Sequence, residues 1–510
     1  MLSKIYSGAN LGLDATMVTI EVDIVNQGLP SFTIVGLGDR AVDESRDRVR
    51  SAIRNSGADF PLHKITVNLA PADLPKEGPV FDLAIAVGLL SASGQIKNNT
   101  PLFDLDKALV VGELSLDGAL RYTNGILPIA LLAIKAGFKS IIVPFDNAQE
   151  AAVVPGLEVF AFGSLAQVVK VILGQEAIEP FKGEVLDPNE DLFFDYDFSQ
   201  VKGQEQAKRA LEIAATGGHN ILLKGPPGAG KTMLARAFPS ILPPLSFDEA
   251  IEVTKIYSVA GVLEPGKALI LKRPFRSPHH TASYVGLVGG GGNIRPGEIS
   301  LAHRGVLFLD ELAEFPKQVL EVLRQPLEDH KVTISRASGS LSFPAKFILL
   351  AAQNPCPCGF LGDPKRSCIC MPGNIARYKK KISGPLLDRI DIYLEVPSVD
   401  VDKLTGNYQS EDSKTIRTRV IKARDIQKIR YKGRILTNSE MTNSDIKQFC
   451  ILTEDSLDLL KKAISSLNLS ARGYHRVLKL SRTIADLSES ENIQIEHIAE
   501  ALQYRSRDEI

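Results

Sequence analysis

The chain has 510 residues, with 59 basic against 60 acidic side chains and a formal charge of −1, so nothing global marks it as a nucleic-acid coat; contact with DNA would need a local patch. Five cysteines over that length exclude a disulfide framework, the start of the chain lacks a charged-then-apolar leader, and no run approaches the roughly eighteen apolar residues of a membrane span. We therefore expect a cytoplasmic protein of about three domains with no membrane partner.

Residues 1–172 alternate β-rich runs ("ATMVTIEVDIV", "SFTIVGL", "KITVNLAP", "SIIVPF") with helical stretches such as "DESRDRVRSAIRNSG", which predicts an α+β or α/β domain. Within it "FDLAIAVGLL" carries Asp82 and runs into "SASG", as expected of a buried element. Residues 173–198 are acidic and aperiodic, a predicted linker or strap. Residues 199–400 hold the apolar runs "NILLKG", "GVLFLDE", "KFILLAAQN" and "DIYLEVP", the pattern of a parallel sheet with crossover helices. Residues 401–510 lose the strands and carry apolar residues at helical spacing, a predicted helical lid.

"ILLKGPPGAGKTMLARAF" sets a strand, the loop of residues 225–232 and a helix in the order a P-loop needs. Backbone N–H groups of Gly225, Pro226, Pro227, Gly228, Ala229 and Gly230, wherever a proline does not remove them, curl around phosphate; Lys231 reaches the β and γ phosphates and Thr232 holds Mg²⁺. A bland glycine turn is the competing reading. "GVLFLDE" ends an apolar strand in Asp310, suited to the Mg²⁺ shell, and Glu311, suited to polarising a water; an acidic helix start competes. "FILLAAQN" ends in Asn354, at the strand edge where ligands collect in such sheets.

Two C-x-C pairs, Cys356/Cys358 and Cys368/Cys370, lie nine residues apart in an insert spanning residues 356–370. Four thiolates can close a tetrahedral Zn²⁺ site with no open position, which favours a structural clip over a catalytic metal; four reduced cysteines in a buried loop is the alternative. Arg389 in "LLDRID" reads equally as a functional arginine or as the partner of Asp388 or Asp391. Arg472 and Arg476 share a helix face, which solvent alone would also explain. "HKVTISRASGSLSFPAKF" predicts a hairpin with Arg336 towards its turn. In "RPFRSPHH", His279 and His280 are adjacent and expected to face opposite ways, so structural bonding or a polyanion contact by Arg273, Arg276 and the histidines is preferred to a metal. Residues 414–434 hold nine basic residues and one acid, either a DNA face or a solvated helix face.

Together "GPPGAGKT", "GVLFLDE", "AAQNP", "LLDRID" and "SARGYHR" resemble an AAA+ ATPase of the magnesium-chelatase-like group. "PFRSPHHTAS", "GGGGNIRPGEISLAHRGVLFLDELAEF" and "NPCPCG" resemble more narrowly the bacterial YifB/ComM family, over essentially the whole chain. The resemblance implies ATP and Mg²⁺ as cofactors, Lys231 and Thr232 as Walker A, Asp310 and Glu311 as Walker B and Asn354 as first sensor. It implies Arg389 as a finger offered to the next subunit of a homo-hexamer, and Arg472, with Arg476 as fallback, as second sensor. It also implies a helicase-like motor on single-stranded or branched DNA, serving branch migration in homologous recombination or natural transformation beside recombination proteins, with the hairpin touching DNA. "LPKEGPVFDLAIAVGLL" and "VGELSLDGALRYTNGILPIALLAIKAGFK" resemble the proteolytic domain of Lon, but Val80 stands at the serine position and no lysine lies near Leu127 and Ile129, so the domain is expected to be noncatalytic. A chelatase-type motor and a remodeller of proteins, each working through partner subunits, are the competing functions.

Overall fold

The computed structural model describes residues 2–36, 40–74, 76, 78–97, 104–183, 193–291, 294–336, 339–398, 410–433, 437–466 and 469–505. The expected boundary at 400/401, the linker stretch 184–192 and Arg434 lie outside them, as does the side chain of Arg336. The chain forms two compact units, Met1–Asp187 with Phe247–Ile270, and Pro188–Ser246 with Leu271–Ile510.

The first unit is built on a seven-stranded mixed sheet in the order Ser31–Val35, Lys64–Ala70, Asp14–Val25, Leu2–Leu11, Ala108–Val110, Ser140–Pro144, Glu158–Phe162. Alternation in Asp14–Val25 sends Val18, Ile20, Val22 and Ile24 into one core, as a half-buried strand requires. Helix Asp82–Ala92 is apolar all round because it is buried all round. Its first residue, Asp82, is fully buried and neutralised by Arg48 Nε at 2.7 Å, and the Leu114 N–H adds a bond at 3.3 Å. Val80, Leu127 and Ile129 are buried apolar residues. Helix Phe247–Ala260, from the sequence interval after the phosphate loop, joins this unit: Ser258 Oγ donates to the buried Glu150 at 2.5 Å, and Tyr122 donates to the Leu263 carbonyl at 3.3 Å. No helix among the described residues is long and apolar enough to cross a membrane.

The second unit holds a five-stranded sheet in the order Phe275–Arg276, Val306–Leu309, Ile348–Gln353, Ile221–Lys224, Ile392–Glu395, with every neighbouring pair parallel. Its strands are mostly apolar because both faces are covered, with Arg276, Lys224, Gln353 and Glu395 at strand ends. Ile221, Leu223, Phe308, Leu350 and Ile392 enter one core, while Leu222, Leu307, Leu309 and Leu349 enter the other. The first of these cores also takes helix Glu205–Gly217 and the C-terminal helices Ser413–Tyr431, Asn443–Phe449, Glu454–Ser466, Ala471–Leu487 and Ile495–Gln503. The expected hairpin forms, pairing Lys331–Arg336 with Gly339–Pro344 in antiparallel register.

Candidate nucleotide-binding site

Parallel pairing explains why distant residues meet. Lys224 is level with Gln353, and Leu309 with Ala351, so the residues that follow each strand emerge at one end of the sheet. There Thr232 Oγ1 donates to Asp310 Oδ2 at 2.8 Å, and Lys231 Nζ donates to Asn354 Oδ1 at 3.2 Å and to the carbonyls of Gly225 and Pro226 at 2.7 and 2.8 Å. Gly228 and Gly230 have φ of 78° and 87°, a left-handed backbone that glycine adopts without cost, and the space beside each is open. Burial holds the Lys231 ammonium below its ordinary pKa, although Asp310 and Glu311 pull it back up. An anion entering the loop would therefore meet a desolvated cation and open backbone, as a polyphosphate requires; the hydroxyl and carboxylate of Thr232 and Asp310 are hard oxygen donors that suit Mg²⁺.

Glu311 follows Asp310 in a left-handed conformation, φ 51°, and its N–H donates to Asp310 Oδ1 at 2.9 Å. Its carboxylate points to His280, whose Nδ1 lies 3.6 Å from Oε2. Sequence reasoning did not connect these two residues. The link arises because Arg276 is level with Leu307, so residues 277–283 leave the sheet beside Glu311. The opposed orientation expected of His279 and His280 is also corrected. Their rings lie 4.1 Å apart on one side of a turn, where His279 bonds Thr281 at 2.9 Å and His280 meets the edge of Phe315. Arg273 and Arg276 serve structure: the first donates to the carbonyls of Pro243 and Arg304, the second grips Glu298 with two bonds of 2.6 Å.

Arg389 stands elsewhere. It precedes Ile392–Glu395, whose Ile392 is level with Ile221 and Glu395 with Lys224, so it sits at the opposite end of the sheet from residues 225–232, about 10 Å of strand away. Its guanidinium pairs with Glu328, not with Asp388 or Asp391. Asp391 instead binds His219 Nδ1 at 3.3 Å. Asp388 Oδ2 lies 3.5 Å from Arg472 Nη1, and its carbonyl accepts from Arg476 Nη2 at 3.0 Å, which gathers all three candidate arginines at that far end.

The four cysteines converge. Cys356 Sγ lies 3.4 Å from Cys358 and 3.6 Å from Cys368, Cys358 lies 3.6 Å from Cys368, and all four sulfurs, Cys370 included, fall within 4.8 Å of one another. Metal–sulfur bonds of roughly 2.3 Å in a tetrahedron put sulfurs about 3.8 Å apart, whereas a disulfide needs about 2.05 Å. Backbone N–H groups of Phe360 and Ile369 draw the Cys358 thiol down, while burial and bonds to Cys358 push the Cys368 and Cys370 thiols up, so one thiolate is shared among neighbouring thiols. Nearby, Arg366 stacks over Phe360 at 5.2 Å.

Within the basic run, Arg419 pairs with Glu212 at 2.6 Å and with Glu411, Arg424 donates to the Ala215 carbonyl at 2.6 Å, and Arg430 donates to Asp486 at 2.8 Å. Among the described residues of the run, Arg419, Arg424 and Arg430 thus bond to other parts of the fold, and Arg417 lies over the Phe194 ring at 5.9 Å.

Family profiles described as "Magnesium chelatase, subunit ChlI", "Subunit ChlI of Mg-chelatase" and "Magnesium chelatase, subunit ChlI C-terminal" match residues 197–404, 20–147 and 410–505. With the sheet and its phosphate loop, they define the chain as a magnesium-chelatase-like AAA+ ATPase, an ATP-hydrolysing enzyme that uses Mg²⁺. It is 44% identical to the protein YifB of Salmonella typhimurium (all of this chain, 98% of that protein) and 45% identical to the competence protein ComM of Haemophilus influenzae (99% and 97%). The chain belongs to the YifB/ComM family. Two partial matches are a Holliday junction branch migration complex subunit RuvB of Lactococcus lactis (26% identity; 49% of this chain, 69% of that protein) and Lon protease 2 of Bacillus subtilis (29%; 28% and 25%).

Proposed function

We propose that the chain is the subunit of a homo-hexameric motor that couples ATP hydrolysis to movement on single-stranded or branched DNA, in branch migration during recombination or transformation. One observation carries the ring: Arg389, with Arg472 and Arg476 beside it, stands at the sheet end opposite its own phosphate loop. These arginines can serve a nucleotide only when it is held by another copy, and such head-to-tail contacts close into rings. In that reading Lys231 exchanges its bonds to Asn354 and the Gly225 and Pro226 carbonyls for the β and γ phosphates. Thr232 and Asp310 hold Mg²⁺, which neutralises developing phosphate charge. Glu311 takes the proton of the attacking water, and Asn354 orients that water. The four cysteines hold Zn²⁺ as a structural site, and the first unit is a noncatalytic relative of the Lon proteolytic domain whose buried Val80 offers no nucleophile.

DNA as the track is supported by the similar protein RuvB, named for the Holliday junction branch migration complex, and a part in transformation by ComM, named a competence protein. The protein-remodelling or chelatase-type alternative draws on the inward bonding of Arg419, Arg424 and Arg430, which leaves Lys414, Lys422 and Lys428, with Lys432 just past the helix end, as the exposed basic residues described there. ATPase turnover measured with duplex, single-stranded and four-way-branched DNA, with unfolded protein as competitor activator and Lys231→Ala as control, separates them. Branched DNA should bind and raise turnover; if it does neither, the DNA reading is sunk.

A further inference from the structure

Two short paths run from the cysteine cluster to the phosphate loop. The first is along the chain. Cys356, fully buried, follows Asn354 by two residues, and Asn354 accepts from Lys231 at 3.2 Å. The second crosses space. Residues 356–359 close a tight turn in which the Gly359 N–H donates to the Cys356 carbonyl at 3.0 Å. Gly359 has φ 87°, and a Cβ added there would lie 2.5 Å from Pro227 Cδ and 2.7 Å from Pro227 Cγ. The proline ring therefore rests directly on the backbone that holds Cys356 and Cys358. Both contacts end on stiff parts: proline cannot rotate about φ, and packed elements pass displacement on rather than absorb it.

We propose that metal bound by Cys356, Cys358, Cys368 and Cys370 braces the phosphate loop through Gly359–Pro227 and Asn354–Lys231, so that occupancy of the thiol site sets affinity for nucleotide. The proposal rests on reading the cluster as a Zn²⁺ site and adds a regulatory consequence to it. The metal makes no contact with ATP; it fixes the turn against which the loop is seated. Without it, weak S–H contacts and single backbone N–H bonds to sulfur replace four metal–sulfur bonds, residues 356–359 relax, and binding nucleotide carries the cost of ordering the loop. Zinc and nucleotide are in this way linked reciprocally.

The test starts with zinc content of the full-length protein, measured with a colorimetric indicator. Zinc is then removed with a chelator, excess Mg²⁺ is restored, and affinity for a fluorescent ATP analogue is compared before, after, and on adding zinc back. Removal should weaken binding by about fivefold or more, reversibly. Gly359→Ala keeps all four thiols but strains a φ of 87° and pushes on Pro227; it should carry zinc and bind the analogue more weakly, which tests the Gly359–Pro227 contact apart from the metal. Zinc present, with affinity unchanged to within about twofold on removal and in Gly359→Ala, overturns the coupling and leaves the metal site standing. Protein that neither carries nor takes up zinc overturns both.

Discussion

Thr232 Oγ1 donates to Asp310 Oδ2 across 2.8 Å, joining the helix after the phosphate loop to a strand end 78 residues away. If both side chains hold one Mg²⁺, removing either removes the same contribution. Thr232→Val and Asp310→Asn should each lower turnover by roughly two orders of magnitude. The double variant should fall little further, because residues acting through one ion are not additive. Steady-state ATPase rates over a Mg²⁺ titration check this; additive losses would separate the two roles.

His280 Nδ1 stands 3.6 Å from Glu311 Oε2, with its ring held between His279 and Phe315. A glutamate side chain that is 53% exposed has rotamer freedom to lose, so a contact that holds its carboxylate matters. His280→Ala should cut kcat on the order of tenfold to a hundredfold with analogue affinity unchanged, and His280→Gln should recover part of the loss. Equal losses in kcat and nucleotide affinity would point to a structural defect instead.

What could be foreseen follows from how local each signal is. Asp310, Glu311 and Asn354 each follow an apolar run, Lys231 and Thr232 close the glycine loop that follows another, and strand ends of a parallel sheet converge without further information. The convergence of the four cysteines was legible for a similar reason: all of them lie within one insert. His280 was not, since its approach to Glu311 depends on a two-residue strand, Phe275–Arg276, pairing with Val306–Leu309. The ion partner of Arg389 was missed because Glu328 is remote in sequence while Asp388 and Asp391 are adjacent. The strand Leu2–Leu11 escaped notice because Ser3, Lys4, Ser7, Gly8 and Asn10 dilute its β pattern. Helix Phe247–Ala260 has an apolar face whose spacing cannot say which of two cores receives it.

The far-end position of Arg389 makes a complementation experiment decisive. Lys231→Ala and Arg389→Ala should each be nearly inactive alone. In an equal mixture, a site with an intact lysine from one copy and an intact arginine from its neighbour arises at about a quarter of head-to-tail interfaces, so activity should return towards that fraction. No recovery after subunit exchange would mean that Arg389 acts within its own chain or not at all.

Lys346 and Glu440 pair at 2.6 Å and tie the turn Asn438–Glu440 to the approach of the Asn354 strand. Burial raises the Glu440 pKa, but the charge and hydrogen bond of Lys346 outweigh it, so the folded value lies below the ordinary 4.5. A carboxylate with a depressed folded pKa binds fewer protons folded than unfolded, so its stabilisation is complete above the unfolded value and is lost as pH falls through the folded one. Wild type should therefore lose stability below about pH 4.5 more steeply than Glu440→Gln. At neutral pH that substitution should cost about 1–3 kcal/mol, since it leaves the Lys346 ammonium without its counter-charge in a half-covered site. Urea unfolding from about pH 3 to pH 7 measures both, and parallel curves for the two proteins would show that the pair carries no net acid dependence.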